Sequence, residues 1–175
     1  MDRQTFEKFM KPGVGLLVFG IIMGGFGLVL VFGGMILPGL VAMVPGVLCG
    51  WASWSSISRF KKQMEELETS GRLDSVIREF ATGRQFFKDK LRLGPTYIYG
   101  KGVGRILTHG EIRKVYQHVH KTNFVEDRRE MRVETTDNKI FSLCKIPLRG
   151  KGDQELIQVI AIMKTMNPGI HLGYK

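Results

Sequence analysis

His118 and His120 stand two apart in the stretch VYQHVHK, so an extended backbone puts both imidazoles on one face. Two imidazoles are half of a zinc site, which needs at least a third protein ligand. His109 is the nearest candidate, and its spacing does not suit the pair. No metal is expected, and titration of these histidines near neutral pH stays open. Cys144 sits in a strand with no His close by in sequence, and Glu111, Glu126 and Asp127 form no acid–base pair. Nothing assembles a nucleophile, a base and an oxyanion donor. The expectation is a chain that is not an enzyme and carries no cofactor.

Two glycine-rich runs hold cations. Gly100-Lys101-Gly102-Val103-Gly104-Arg105 lacks the order of a nucleotide phosphate loop and precedes a strand, not a helix. Arg149-Gly150-Lys151-Gly152 leads into a helix expected to start at Asp153. Free helix N–H groups and two cations can hold an anion there. Asp153 and Glu155 offset that field, so a capped loop is the alternative. The polar segment TNFVEDRRE carries Phe124 and Val125 at its centre. They either form a docking tip for a protein partner or fold back under the loop.

The elements that position these groups follow from an uneven charge distribution. The 175 residues carry a net charge of +10, yet no Asp, Glu, Lys, Arg or His occurs from Pro12 to Ser58, a block of 47 residues. A membrane-spanning helix needs about 20 apolar residues. The block therefore reads as two spans, about 14–32 and 40–57, joined by a turn around Gly33-Gly34 and Pro38-Gly39. Pro45 is expected to kink the second span or mark its first turn. The apolar core is too long for a cleaved signal peptide. Lys8 and Lys11 precede the hairpin, Arg59, Lys61 and Lys62 follow it, and its tip has no charge. Both termini are thus expected in the cytoplasm, with Trp51 and Trp54 near the inner interface. Cys49 and Cys144 are expected to stay reduced.

Small residues are patterned within the block. Gly13, Gly20, Gly27 and Gly34 recur every seven residues, Gly24 completes a G-x-x-x-G with Gly20, and Gly39, Ala42, Gly46, Gly50 and Ser53 form a second stripe. Such stripes let helix backbones approach closely in lipid. They pack on each other within one hairpin, or one of them is spare and drives a homo-oligomer. No ionisable group lies within either span, which argues against an ion-coupled transporter.

Of the charge, +9 lies beyond residue 58. A basic domain at the inner leaflet is drawn to anionic lipid. Nucleic acid is not an expected partner, because no basic reading helix, RNP-like pattern or finger spacing is present. Leu73, Val76, Ile77 and Phe80 mark an amphipathic helix, resting on the domain or on the bilayer. Strands are expected at 96–99, 105–108, 112–121, 128–136 and 139–146. A helix from Asp153 to Met166 then covers the sheet through Leu156, Ile157, Ile160 and Met163.

The run GPTYIYGKGVGRILTHGEIRKVY, the strand pair around MRVETTDNKIFSLCKI and the final helix resemble the small pleckstrin-homology-like domains of bacterial membrane proteins. The section from Leu73 onward, with HKTNFVEDRRE and NPGIHLGYK, is similar to a Gram-positive membrane-protein family. The resemblance implies an architecture and no activity, and five strands imply an abbreviated sheet. In phosphoinositide-binding relatives of that fold, basic residues around the first hairpin grip headgroups. Lys101 and Arg105 stand at that place, without the denser basic cluster of those relatives.

The expected fold is therefore an α+β membrane protein. A two-helix transmembrane hairpin precedes a pleckstrin-homology-like antiparallel sheet or barrel with a C-terminal capping helix. Its parts are a cytoplasmic segment 1–12, the hairpin 13–58, a helical linker 59–92 and the domain 93–175. The expected function is a non-catalytic module anchored in the bacterial cell membrane. It docks a membrane-protein partner, or gathers anionic inner-leaflet lipid through Lys101, Arg105, Arg149 and Lys151. An oligomeric assembly subunit built on the glycine stripes is the alternative.

Overall fold

A computed structural model describes residues 2–122, 125–148 and 151–174. The chain opens with α1 (Arg3–Met10), whose first turn is capped by the Asp2 carboxylate accepting from the Thr5 N–H at 3.0 Å. Helices α2 (Gly15–Phe32) and α3 (Ile36–Thr69) follow, each long and apolar enough to cross a membrane. The turn between them places Gly34 at φ +86°, a conformation that suits a residue without a Cβ. Pro38 falls in the first turn of α3. Pro45 lies inside α3 and does not end it.

The glycines of α2 and α3 meet inside this hairpin. A Cβ on Gly20 would lie 2.8 Å from the Gly46 carbonyl oxygen and 2.9 Å from the Gly50 nitrogen. One on Gly27 would lie 2.8 Å from the Gly39 oxygen. Gly20, Gly27, Gly39, Gly46 and Ser53 are buried along the seam, and Gly24, Ala42 and Gly50 border it half-buried. Gly13 and Gly34 lie outside it, one exposed before α2 and one in the turn. The seven-residue repeat thus overstates the seam at both ends. The outward faces keep large apolar side chains exposed, Val29 at 68% and Trp51 at 71%.

Beyond its apolar part, α3 continues as a polar helix, and α4 (Leu73–Thr82) follows. Strands β1 (Arg84–Phe86), β2 (Leu91–Leu93), β3 (Tyr97–Gly100) and β4 (Leu107–Thr108) form one antiparallel sheet in that order. The second sheet contains β5 (Ile112–Thr122), β6 (Val125–Thr135) and β7 (Ile140–Ile146). Helix α5 (Gly152–Met166) precedes a last strand, β8 (His171–Tyr174), and the order is β7-β6-β5-β8. Strand β8 runs parallel to β5, with Lys114 opposite His171. The stretch expected as a helical linker thus holds β1 and β2 as well as α4. An exclusively antiparallel sheet of about five strands becomes, among the described residues, eight strands in two sheets. Helix α5 begins at Gly152, before Asp153, and buries Leu156, Val159 and Met163, while Ile157 faces outward.

Two cores result. One lies between the sheets and α5 and includes Leu91, Ile98, Val115, Met131, Val133 and Leu143. The other joins both flanks of the hairpin: Phe6, Phe9 and Met10 of α1 meet Phe60, Met64 and Leu67 of α3, with α4 and β3. Phe80 sits 5.1 Å from Phe6, 5.0 Å from Phe9 and 5.3 Å from Tyr99, all edge-on. The buried Arg92 guanidinium lies 4.3 Å over the Phe80 ring and pairs with Asp89 at 2.6 Å. Glu79 pins α4 to β3, accepting from the N–H groups of Thr96 at 2.8 Å and Tyr97 at 2.6 Å.

Candidate anion-binding cleft

The glycine-rich run after β3 closes α1. The N–H groups of Gly102 and Gly104 donate to the Phe9 and Met10 carbonyls at 2.9 and 3.0 Å. These are terminal helix carbonyls that lack intrahelical partners. Gly104 adopts φ +69° and packs on Pro12. The run is therefore a structural clasp, and its backbone N–H groups are spent on protein. Gln63 of α3 fixes the next residues, since its amide donates to the Ile106 carbonyl and accepts from the Ile106 N–H, each at 2.9 Å.

Beside this clamp lies a cleft of about 370 Å³ between α3 and the ends of the sheets. Ser56, Arg59, Lys62, Gln63 and Glu66 line it from α3, following the i, i+3, i+4, i+7 rows of one helix face. Arg105, Glu111, Lys139 and Phe141 line it from the domain. Four cations thus face two carboxylates.

Of the two carboxylates, Glu111 is committed to hydrogen bonds within the domain and Glu66 is exposed. Glu111 accepts from the Thr108 N–H at 2.8 Å in a reciprocal cap and from Arg105 at 3.4 Å. Glu66 stands 4.0 Å from Lys62. Behind the cleft, Asp137 takes a hydrogen bond from Lys139 at 2.6 Å and lies 3.8 Å from Arg105. The Lys139 and Thr135 hydrogen bonds hold its carboxyl well below the usual carboxylate range. Arg105 is steadied by the Phe141 ring, 5.1 Å below its guanidinium. Arg59 donates its Nε to the Ser55 carbonyl at 3.2 Å. It has no carboxylate within salt-bridge distance among the described residues.

Of the four cations expected to bind an anion, Arg105 lines this cleft. Lys101 is exposed on the clasp and Lys151 stands exposed before α5; neither lines it. Arg149 lies outside the described residues. Of the expected docking pair, Phe124 also lies outside them, and Val125 opens β6. Arg59, Lys62 and Lys139 were missed as site residues. The 59, 62, 63, 66 spacing announced one helix face. That this face meets the turn carrying Lys139 is set by the tertiary fold.

The other chemical candidates are placed as follows. The His118 and His120 rings touch edge-on at 4.5 Å, and no group of three metal ligands forms among the described residues. His120 lies 3.5 Å from the buried Glu130, which also meets Arg128 at 3.2 Å, Arg132 at 3.0 Å and Ser142 at 3.1 Å. Desolvation pushes the Glu130 carboxyl up, but the Arg132 and Ser142 hydrogen bonds and the arginine charges outweigh it and hold it below the ordinary value. Burial pushes the Cys144 thiol up to about 12, which leaves little thiolate at neutral pH. His109 is buried, its Nε2 at 2.9 Å from the Gly94 carbonyl.

The class defined so far is an α+β chain that joins an apolar helical hairpin to a basic, cleft-bearing β domain. Comparison with family models, characterised proteins and solved structures gives no match.

Proposed function

We propose that this chain is a membrane-anchored, non-catalytic binding module whose basic domain gathers anionic lipid at the inner leaflet of a bacterial cell membrane. The carrying observation is the junction itself. A hairpin with exposed apolar faces passes directly into a basic cleft, and both flanks of the hairpin share one core. An apolar surface of that extent needs lipid or protein around it. With Lys8, Lys11, Arg59, Lys61 and Lys62 at the base and no charge at the tip, the base lies on the cytoplasmic side. Two small sheets with a following helix support the pleckstrin-homology-like reading, and the parallel strand β8 departs from the antiparallel plan. The small residues of both stripes face each other, so little of them remains for a stripe-driven oligomer.

The test is native mass spectrometry of the full-length protein extracted gently from its membrane, with cysteine-accessibility mapping of the hairpin tip. Retained anionic lipid and a tip labelled only from outside are expected. Loss of all lipid, or a tip labelled from the cytoplasm, would refute the reading. A distinct co-purifying protein without lipid would make the chain a docking subunit instead.

A further inference from the structure

We infer that the cleft between α3 and the β domain is a phosphate-monoester site and takes the terminal phosphate of a lipid headgroup. The inference rests on the membrane-anchored reading and names the ligand class of that module. Arg59, Lys62 and Glu66 line one wall of the cleft, Arg105, Glu111 and Lys139 the other, and Asp137 stands behind. Net lining charge is +2, or +1 with Asp137 included. A phosphate monoester carries about −1.5 to −2 near neutral pH and presents three acceptor oxygens. Against the +2 of the lining side chains alone it leaves no net charge and offers three acceptor oxygens to their N–H groups, whereas a diester leaves +1 and offers two.

Position selects a lipid. The uncharged part of α3 ends at Ser58, one residue before Arg59. At about 1.5 Å rise per residue, Arg59 lies ~1.5 Å and Lys62 ~6 Å past that boundary. The headgroup layer occupies about 5–7 Å on each side of the hydrocarbon core. With the hydrocarbon edge set at Ser58, both cations fall within the headgroup layer. The arginines are also prepared for an anion: Phe141 holds Arg105, and the Ser55 carbonyl orients Arg59 with its terminal nitrogens unspent on any carboxylate among the described residues. Guanidinium groups fixed in this way lose less freedom when they close on phosphate oxygens.

The experiment uses the full chain in phosphatidylcholine nanodiscs containing either phosphatidic acid or phosphatidylglycerol, with retained lipid counted by native mass spectrometry. Each well-placed cation is worth about fivefold. Replacing Arg59→Gln and Lys139→Gln together should therefore lower phosphatidic acid retention about 25-fold. The equally charged control pair Lys88→Gln and Lys145→Gln, away from the cleft, should lower it less than twofold. Should the cleft pair not purify folded, Lys62→Gln alone should cost about fivefold. Equal losses in cleft and control variants would sink the inference while leaving general anionic attraction intact. No anionic lipid on the wild type would sink the membrane-module reading itself. Equal retention of phosphatidylglycerol would remove the monoester assignment. Displacement of phosphatidic acid by equimolar glycerol phosphate would make this a site for soluble phosphate instead of a headgroup.

Discussion

Gly20 and Gly24 belong to one G-x-x-x-G, yet the packing treats them oppositely. A Cβ on Gly20 enters the seam at 2.8 Å from the Gly46 oxygen, while one on Gly24 meets nothing within 4 Å. Ordinary contact begins at 3.4 Å. Gly20→Ala must therefore push the backbones apart by about 0.6 Å, because neither obstacle is a side chain that can swing away. A gap of that size forfeits roughly a quarter to a half of each contact, at about 0.1–0.2 kcal/mol per atom pair. Over on the order of 40 pairs near the crossing, the loss is about 2 kcal/mol. Gly24→Ala should cost nothing measurable and can gain a few tenths through helix propensity. The assay is energy transfer from Trp51 and Trp54 to a label on Val14→Cys, in a background with both native cysteines replaced, during titration with SDS in mixed micelles. The Gly20 variant should lose packing at lower SDS and the Gly24 variant should match the parent. Equal shifts, or a shift only in the Gly24 variant, would refute this register.

Three further outcomes are expected. Glu130 is held ionised below its ordinary value of 4.5, so the unfolded chain binds the proton more readily and stability rises with pH through that region. Its contribution is present above that ordinary value and fades as pH falls below it; Glu130→Gln should cost about 1–2 kcal/mol at neutral pH and flatten the acid limb of a Tm-against-pH curve. Gln63→Ala removes both hydrogen bonds to Ile106 and should cost about 1–3 kcal/mol in thermal unfolding, with faster amide exchange around Ile106. Lys88 is exposed at φ +56° between two residues that are also left-handed, so Lys88→Gly should stabilise by about 0.5–1 kcal/mol in chemical denaturation.

How much of this was legible in the sequence depends on the range of the signal. The hairpin was, because 47 uncharged residues leave few alternatives. The long strands β5, β6 and β7 were, since alternation over seven or more residues is distinctive. Strands β1, β2 and β8, of three or four residues, are too short for periodicity alone; β3 and β4 are as short and were legible through the glycine-rich turn between them. Helix α1 carried an Asp cap and Phe6, Phe9 and Met10 at i, i+3, i+4, but eight residues are too few to form a stable helix alone. It is helical because the second core receives it. Arg105 was legible as a cation beside a turn, whereas Lys139 joins it only through the pairing of β6 with β7. Which glycine of a stripe faces the seam was likewise decided by helix rotation, which residue spacing alone leaves free.

The second core ties the folding of the domain to the path of the hairpin. Phe6, Phe9 and Met10 are buried against α3, α4 and β3, from the far side of the apolar block. Burying three such side chains stabilises by about 5–9 kcal/mol as an upper figure. That is comparable to the whole stability of an ordinary domain, about 5–15 kcal/mol. In a membrane, a hairpin with only one helix inserted would place α1 on the opposite side from α4, and this core would not form. A fragment beginning at Arg72 has the same defect, because it lacks α1 and the Phe60, Met64 and Leu67 face of α3. The cleft shares that dependence through Gln63 and the clasp on α1. If the hairpin spans a membrane, the cleft can therefore form only when both helices have crossed and returned.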